Sequence, residues 1–160
     1  ELAQELCGWA GGLGGAEHLF YLGRGLDYPL ALEGSLKLKE ISYIHSEALA
    51  AGELKHGAIA LITEGTPVIA LATQADILPK MVSGIREVKA RGARVLVITL
   101  EGLAVEADAW DHLVTLPAAE SLFAPLLLAP ALQLLAAGAA VARGCDVDKP
   151  RNLAKSVTVE

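Results

Sequence analysis

Two carboxylates, a lysine and a histidine sit within the otherwise apolar stretch from Ala31 to Gly57, ALEGSLKLKEISYIHSEALAAGELKHG. At about 100° per residue, a helical reading puts Glu33, Lys37 and Glu40 at i, i+4 and i+7, in one narrow charged stripe. Leu30 and Ile41 border the stripe on one edge, Leu36 and Tyr43 on the other. A solvent-facing stripe is normally broad and backed by a single apolar face. The narrow stripe therefore predicts partly desolvated carboxylates. Desolvation moves a carboxyl group towards the range where it exchanges protons near neutrality, while a nearby ammonium pulls the other way. Glu40 is on these grounds a candidate general base. The same spacing fits an ordinary i, i+4 ion pair, which supports a helix by about 0.2–0.5 kcal/mol and requires no chemistry. Lys39 falls on another part of the helix, near Leu32 and Ser35, and reads as solvated.

The elements that must position these groups alternate along the chain. After an amphipathic segment around Leu2 to Leu13, the run His18 to Gly23 reads as a short apolar strand ending in Gly23-Arg24-Gly25. Asp27 suits the N-cap of a helix starting near Tyr28-Pro29, because Asp is favoured there and Pro fits the first turn. Further strands are expected at Pro67 to Ala72, Arg94 to Leu100 and His112 to Leu116, with a helix from Asp76 to Arg91. Short continuous apolar strands between helices indicate a parallel sheet covered on both faces. The fold class is α/β, a three-layer αβα sandwich with a flavodoxin-like parallel sheet. Ligands in such sheets gather beyond the carboxyl ends of the strands, where Gly23-Arg24-Gly25 lies. That tripeptide lacks the GxGxxG pattern and fits a tight turn equally well.

Composition narrows the classes. A chain of 160 residues, 53% hydrophobic and with a mean hydropathy of +0.45, can bury a substantial core as one domain. A formal net charge of −6 argues against a nucleic-acid backbone as partner. Cys7 and Cys145 lie far apart without CxxC spacing, so neither a disulfide framework nor a zinc site is indicated, and a reducing cytoplasm is the simplest setting. The apolar run from Leu122 to Val141 is interrupted by Pro125, Pro130, Gln133 and Gly138, which predicts a buried helix rather than a membrane span. No signal peptide is visible. The opening at Glu1, in what reads as mid-helix, predicts a piece of a larger protein. The polar stretch from Gly144 to Glu160 reads as a tail laid over a domain formed by residues 1–143.

LGRGLDYPLALEGSLKLKEISYIHSEALAAGELKHG, together with the closing DVDKPRNLAKSVTVE, closely resembles the second sugar isomerase (SIS) lobe of the glucosamine-6-phosphate synthase family, also called glutamine:fructose-6-phosphate aminotransferase (isomerizing). The resemblance covers essentially the whole chain. It implies conversion of fructose 6-phosphate and glutamine-derived ammonia to glucosamine 6-phosphate, with no cofactor or metal. Glu40 would carry a proton between C1 and C2 of the open-chain sugar imine, and Lys37 would stabilise the enolamine-like intermediate. His56 matches a histidine that opens the sugar ring and reaches the partner subunit's active site, which makes a homodimer a condition of activity. Lys155 matches the lysine that forms a Schiff base with the sugar carbonyl, and Glu33 and Ala154 match substrate-binding positions. Taken alone, His56 would pass for a surface histidine and Lys155 for a solvated tail lysine. Two positions depart from the family pattern: Ala58 stands where a proline commonly follows LKHG, and Leu49 where an aromatic is usual. The glutaminase domain, and the first SIS lobe with its hydroxyl-rich phosphate loop, are missing from these residues, so an inactive isolated lobe is expected. Two other classes compete: a phosphosugar-binding SIS sensor, and an amino-sugar phosphate deaminase or deglycase of the same fold.

Overall fold

The computed structural model describes residues 2–151 and Leu153. Five strands, β1 (His18–Gly23), β2 (His45–Ala50), β3 (Pro67–Ala72), β4 (Arg94–Leu100) and β5 (His112–Leu116), form a parallel sheet in the order β2-β1-β3-β4-β5. That order is the flavodoxin-like one, with its switch point between β1 and β3. Side chains alternate between the two faces, as the pleat requires. Leu19, Tyr21, Ile69, Leu71, Leu96 and Ile98 point to one core, and Phe20, Leu22, Val68, Ala70, Val95 and Val97 to the other. The first core is roofed by α1 (Leu2–Gly11), α2 (Asp27–Ser42) and α4 (Ala124–Ala142), the second by α3 (Leu78–Lys89).

α4 is long and apolar enough to cross a membrane by length and composition. It is instead a core helix, with Leu128, Leu132, Leu135 and Ala136 fully buried against this domain's own sheet and helices. Pro130 is accommodated inside it on the exposed side.

β2 is the element that the helical periodicity conceals. The helix stops at Ser42 rather than running on towards Gly57. Ser42 Oγ donates to the Leu38 carbonyl at 2.6 Å and accepts from the Ile44 N–H at 3.3 Å. Tyr43 then takes a left-handed conformation (φ 61°), its N–H returning to the Lys39 carbonyl. That geometry closes a helix, although glycine usually supplies it. Ser35 and Ser46, whose hydroxyls lie 2.9 Å apart, then bind α2 to β2.

Asp27 does not cap α2. The helix includes Asp27, and the preceding Leu26 makes no side-chain cap. The Asp27 carboxylate, buried at 3% exposure, accepts hydrogen bonds from the Thr73 N–H at 2.9 Å and from the Thr73 hydroxyl. β1 and β3 are neighbours, so their carboxyl-end loops meet, and a buried acid takes donors across that junction. Burial still pushes the Asp27 carboxyl above its ordinary range, with the Thr73 and Gln74 hydrogen bonds opposing.

Candidate active site

α2 runs back from the carboxyl ends of the strands to their amino ends and carries the charged stripe with it. Lys37 Nζ donates to Glu40 Oε2 at 2.6 Å and stands 3.9 Å from Glu33 Oε1. The side chains of Lys37 and Glu40 are 32% and 28% exposed, so the pair is half-desolvated as the spacing predicts, while Glu33 is more open. The hydrogen bond to Glu40 holds Lys37 above the ordinary lysine value against the pull of burial, and the charges of Glu40 and Glu33 add to it. Lys37 is therefore a fixed cation beside Glu40. Among the described residues, the second carboxylate oxygen of Glu40 has no hydrogen-bond partner.

Glu40 lines an open cavity of about 370 Å³ at the end of α2, with Lys39, Tyr43, Ile44 and His45 from the helix end and the start of β2. Arg151 and Leu153 form the remaining wall. The Arg151 N–H donates to the Tyr43 hydroxyl at 2.7 Å, and its guanidinium lies over the Tyr43 ring at 4.1 Å. Cation–π stacking and a hydrogen bond thus dock the tail on the residue that ends the helix. Lys39 is exposed, as expected, yet belongs to this rim. Neither Tyr43 nor Arg151 stands out in the sequence as part of a site. The signal would have been a bulky aromatic where a helix must stop, with a cation far along the chain to cover it.

The remaining candidates are not all gathered here. His56 lies on a short 3-10 turn (Leu54–His56) beyond the carboxyl end of β2, largely exposed, with Nδ1 2.7 Å from Glu53 Oε2. Glu40 lies near the amino end of β2, and six residues of strand span roughly 20 Å. One chain therefore does not join Glu40 to His56. Ala154 and Lys155 lie outside the described residues. The crevice at Gly23-Arg24-Gly25 is shut by the molecule's own side chains. Gln74 Nε2 donates to the Arg24 carbonyl at 2.7 Å, and its Oε1 accepts from the Leu26 N–H at 3.2 Å. A Cβ on Gly25, whose φ is 58°, would fall 2.8 Å from that oxygen. A larger cavity of about 680 Å³ opens at the amino ends of β1 to β4 and shares His45 with the Glu40 cavity, but it contains neither Glu40 nor Lys37.

A family model for the SIS domain matches residues 13–143. The chain belongs to the SIS domain family. Glutamine–fructose-6-phosphate aminotransferase (isomerizing) of Clostridium acetobutylicum is 61% identical over 142 residues, which are 89% of this chain and 23% of that protein. The enzyme of the same name from Clostridium tetani is also 61% identical over 142 residues, with the same coverage. Among solved structures, the C-terminal domain of glucosamine-fructose-6-phosphate aminotransferase from Francisella tularensis superposes with a TM-score of 0.88 at 39% identity, over 92% of this chain and 42% of that one. This SIS domain thus spans less than a quarter of the length of the curated relatives it matches.

Proposed function

We propose that this SIS domain is the proton-transfer lobe of a glucosamine 6-phosphate-forming aminotransferase, acting on fructose 6-phosphate and ammonia within a longer, dimeric protein. The observation that carries the reading is the half-desolvated Lys37–Glu40 pair on a cavity whose far wall is the tail at Arg151 and Leu153. Lys155 is two residues beyond Leu153, a backbone reach of at most about 7 Å. In this reading residues 144–160 are the segment that covers the substrate, and Ala154 and Glu33 line it. His56 protonates the ring oxygen as the hemiketal of a sugar in the partner subunit opens. The Lys155 amine adds to C2 and water leaves, giving an imine. Ammonia then adds to the same carbon and the lysine amine departs. Glu40 takes a proton from C1 as the imine nitrogen gains one, giving an enolamine; Glu40 then returns its proton to C2 while the C1 hydroxyl gives one up, leaving an aldehyde at C1 and an amine at C2. The fixed charge of Lys37 favours the electron-rich enolamine over the imine before it and the aldehyde after it.

Several structural features support this division of labour. The ligand crevice usual for the fold is closed by Gln74, and the reacting pair sits at the opposite pole, on a helix end that faces outward. A lobe built this way contributes groups to a site whose phosphate grip comes from elsewhere. A phosphosugar sensor would have no use for a carboxylate–ammonium pair at that place. The test compares this chain with a longer chain carrying both lobes, each supplied with fructose 6-phosphate and ammonium. Product is expected only from the two-lobe protein, and Glu40→Gln in it should remove turnover while fructose 6-phosphate still binds. Borohydride reduction in the presence of the sugar should add its mass to the peptide that contains Lys155, and Lys155→Arg should prevent the addition. Turnover retained by Glu40→Gln, or the sugar trapped on another lysine, would overturn the assignment.

A further inference from the structure

At the pole opposite Glu40, between α3 and the connection that follows β2, lies a cavity of about 220 Å³ whose lining includes Arg24, Lys55, Lys80, Ser83 and Glu87. Three cations from three separate elements meet there, in a chain whose net charge is −6. Among the described residues only one of them has a carboxylate partner: Lys55 Nζ stands 3.0 Å from Glu87 Oε1. Among the described residues, neither Arg24 nor Lys80 has a carboxylate within salt-bridge distance, and the Arg24 guanidinium makes no hydrogen bond. Gly52 forms part of the floor, and a Cβ there would fall 3.1 Å from Arg24 Nη1. The bare backbone at this point lets the half-buried guanidinium lie against the turn.

We propose that this cavity binds a phosphate-class oxyanion between Arg24, Lys80 and the Ser83 hydroxyl, with Lys55 adding charge from the rim. Converging cations repel one another, and an anion turns that repulsion into charge-assisted hydrogen bonds. A guanidinium supplies the planar fork that suits a phosphate, an ammonium supplies a point charge, and a hydroxyl supplies a neutral donor. The site depends on none of the residues assigned to proton transfer. It stands or falls separately from the proposed function, because it is tested on the chain alone with inorganic phosphate as the probe.

The experiment is a titration of the isotope-labelled 160-residue chain with inorganic phosphate at constant ionic strength, read from amide chemical shifts. Saturable shifts confined to Gly52, Ser83, Gly84 and their neighbours are expected, with the midpoint weakened at least about tenfold by Lys80→Gln and further by Arg24→Gln. Lys80 is exposed, so its substitution leaves the core untouched even if the half-buried Arg24 proves sensitive. Equal shifts with chloride would show general screening and overturn the site. Shifts that fail to saturate, or that survive Lys80→Gln and Lys80→Glu unchanged, would do the same. Phosphate binding with no response to a soluble acidic peptide places the anion as a free phosphate group. A response to the peptide alone would overturn the proposal.

Discussion

The Lys37–Glu40 contact decides what single substitutions should do. Lys37 is a fixed cation, so Lys37→Gln in the two-lobe protein should lower kcat by about 10²–10³ with little change in KM, the mark of an interaction made mainly in the transition state. Steady-state kinetics on fructose 6-phosphate measure this, and an equal rise in KM with kcat intact would make Lys37 a binding residue instead. Tyr21 offers a second residue-level test. Its hydroxyl is fully buried, has no hydrogen-bond partner among the described residues, and is pushed by burial far above the ordinary phenol value. Tyr21→Phe should therefore leave stability unchanged or raise it by up to about 1 kcal/mol, read from urea midpoints. A loss of that size would reveal a partner for the hydroxyl. The shared face of Glu33, Lys37 and Glu40 was legible from spacing, because a helix brings i, i+4 and i+7 together. Asp27 was misread because capping preferences are local, whereas its partner Thr73 lies 46 residues away and is brought near only by the sheet. Lys155 has no pattern around it, and the resemblance alone singles it out.

At the scale of elements, α2 is positioned by close approach to β1. A Cβ on Gly23 would fall 2.6 Å from the Asp27 carbonyl oxygen, and backbone cannot yield as a side-chain tip can. Gly23→Ala should cost about 1–3 kcal/mol in a urea titration, and tolerance of it would show that α2 can slide. At the other edge, Asp111 clasps three elements: it accepts from Lys89 at the end of α3 and, at 2.7 Å, from the Val95 N–H on β4, and it immediately precedes β5. Burial works upward on its carboxyl, yet Lys89 and the Val95 N–H prevail and hold it below the usual range. A native value below the unfolded one gives stability that is present above about pH 4 and lost as pH falls. Asp27 has the opposite sign: its raised native value gives stability at low pH that is lost as pH rises through that value. Urea midpoints measured across the acid range should show a flatter acid limb in Asp111→Asn and a flatter decline above it in Asp27→Asn. An unchanged profile in either would remove that group from the balance. β1, β3 and β4 were readable as apolar runs because both of their faces are covered, and β5, although an edge strand, kept enough apolar residues in Leu113, Val114 and Leu116 to be read between its flanking turns. β2 was not, because an edge strand keeps His45 and Glu47 exposed and follows a helix after only two residues.

For the whole molecule, the distance between Glu40 and His56 is the informative quantity. If each site takes Glu40 from one subunit and His56 from the other, two inactive two-lobe proteins, Glu40→Gln and His56→Ala, should recover about a quarter of normal activity when subunits are exchanged at equal amounts, since half the dimers are hybrids with one intact site each. No recovery after verified exchange would place His56 in its own subunit's chemistry. The layers could be read from alternation along the chain, but the Gln74 plug beyond the carboxyl ends of β1 and β3 could not, since its partners Arg24 and Leu26 lie 50 and 48 residues away. That plug has a mechanical consequence. Gln74 ties the Arg24 carbonyl to the Leu26 N–H, and a Cβ at Gly23 or Gly25 would meet the Asp27 backbone or the Gln74 amide. The loop after β1 is thereby a rigid brace from which α2 is aimed, so a substitution there is felt at the far end of the helix.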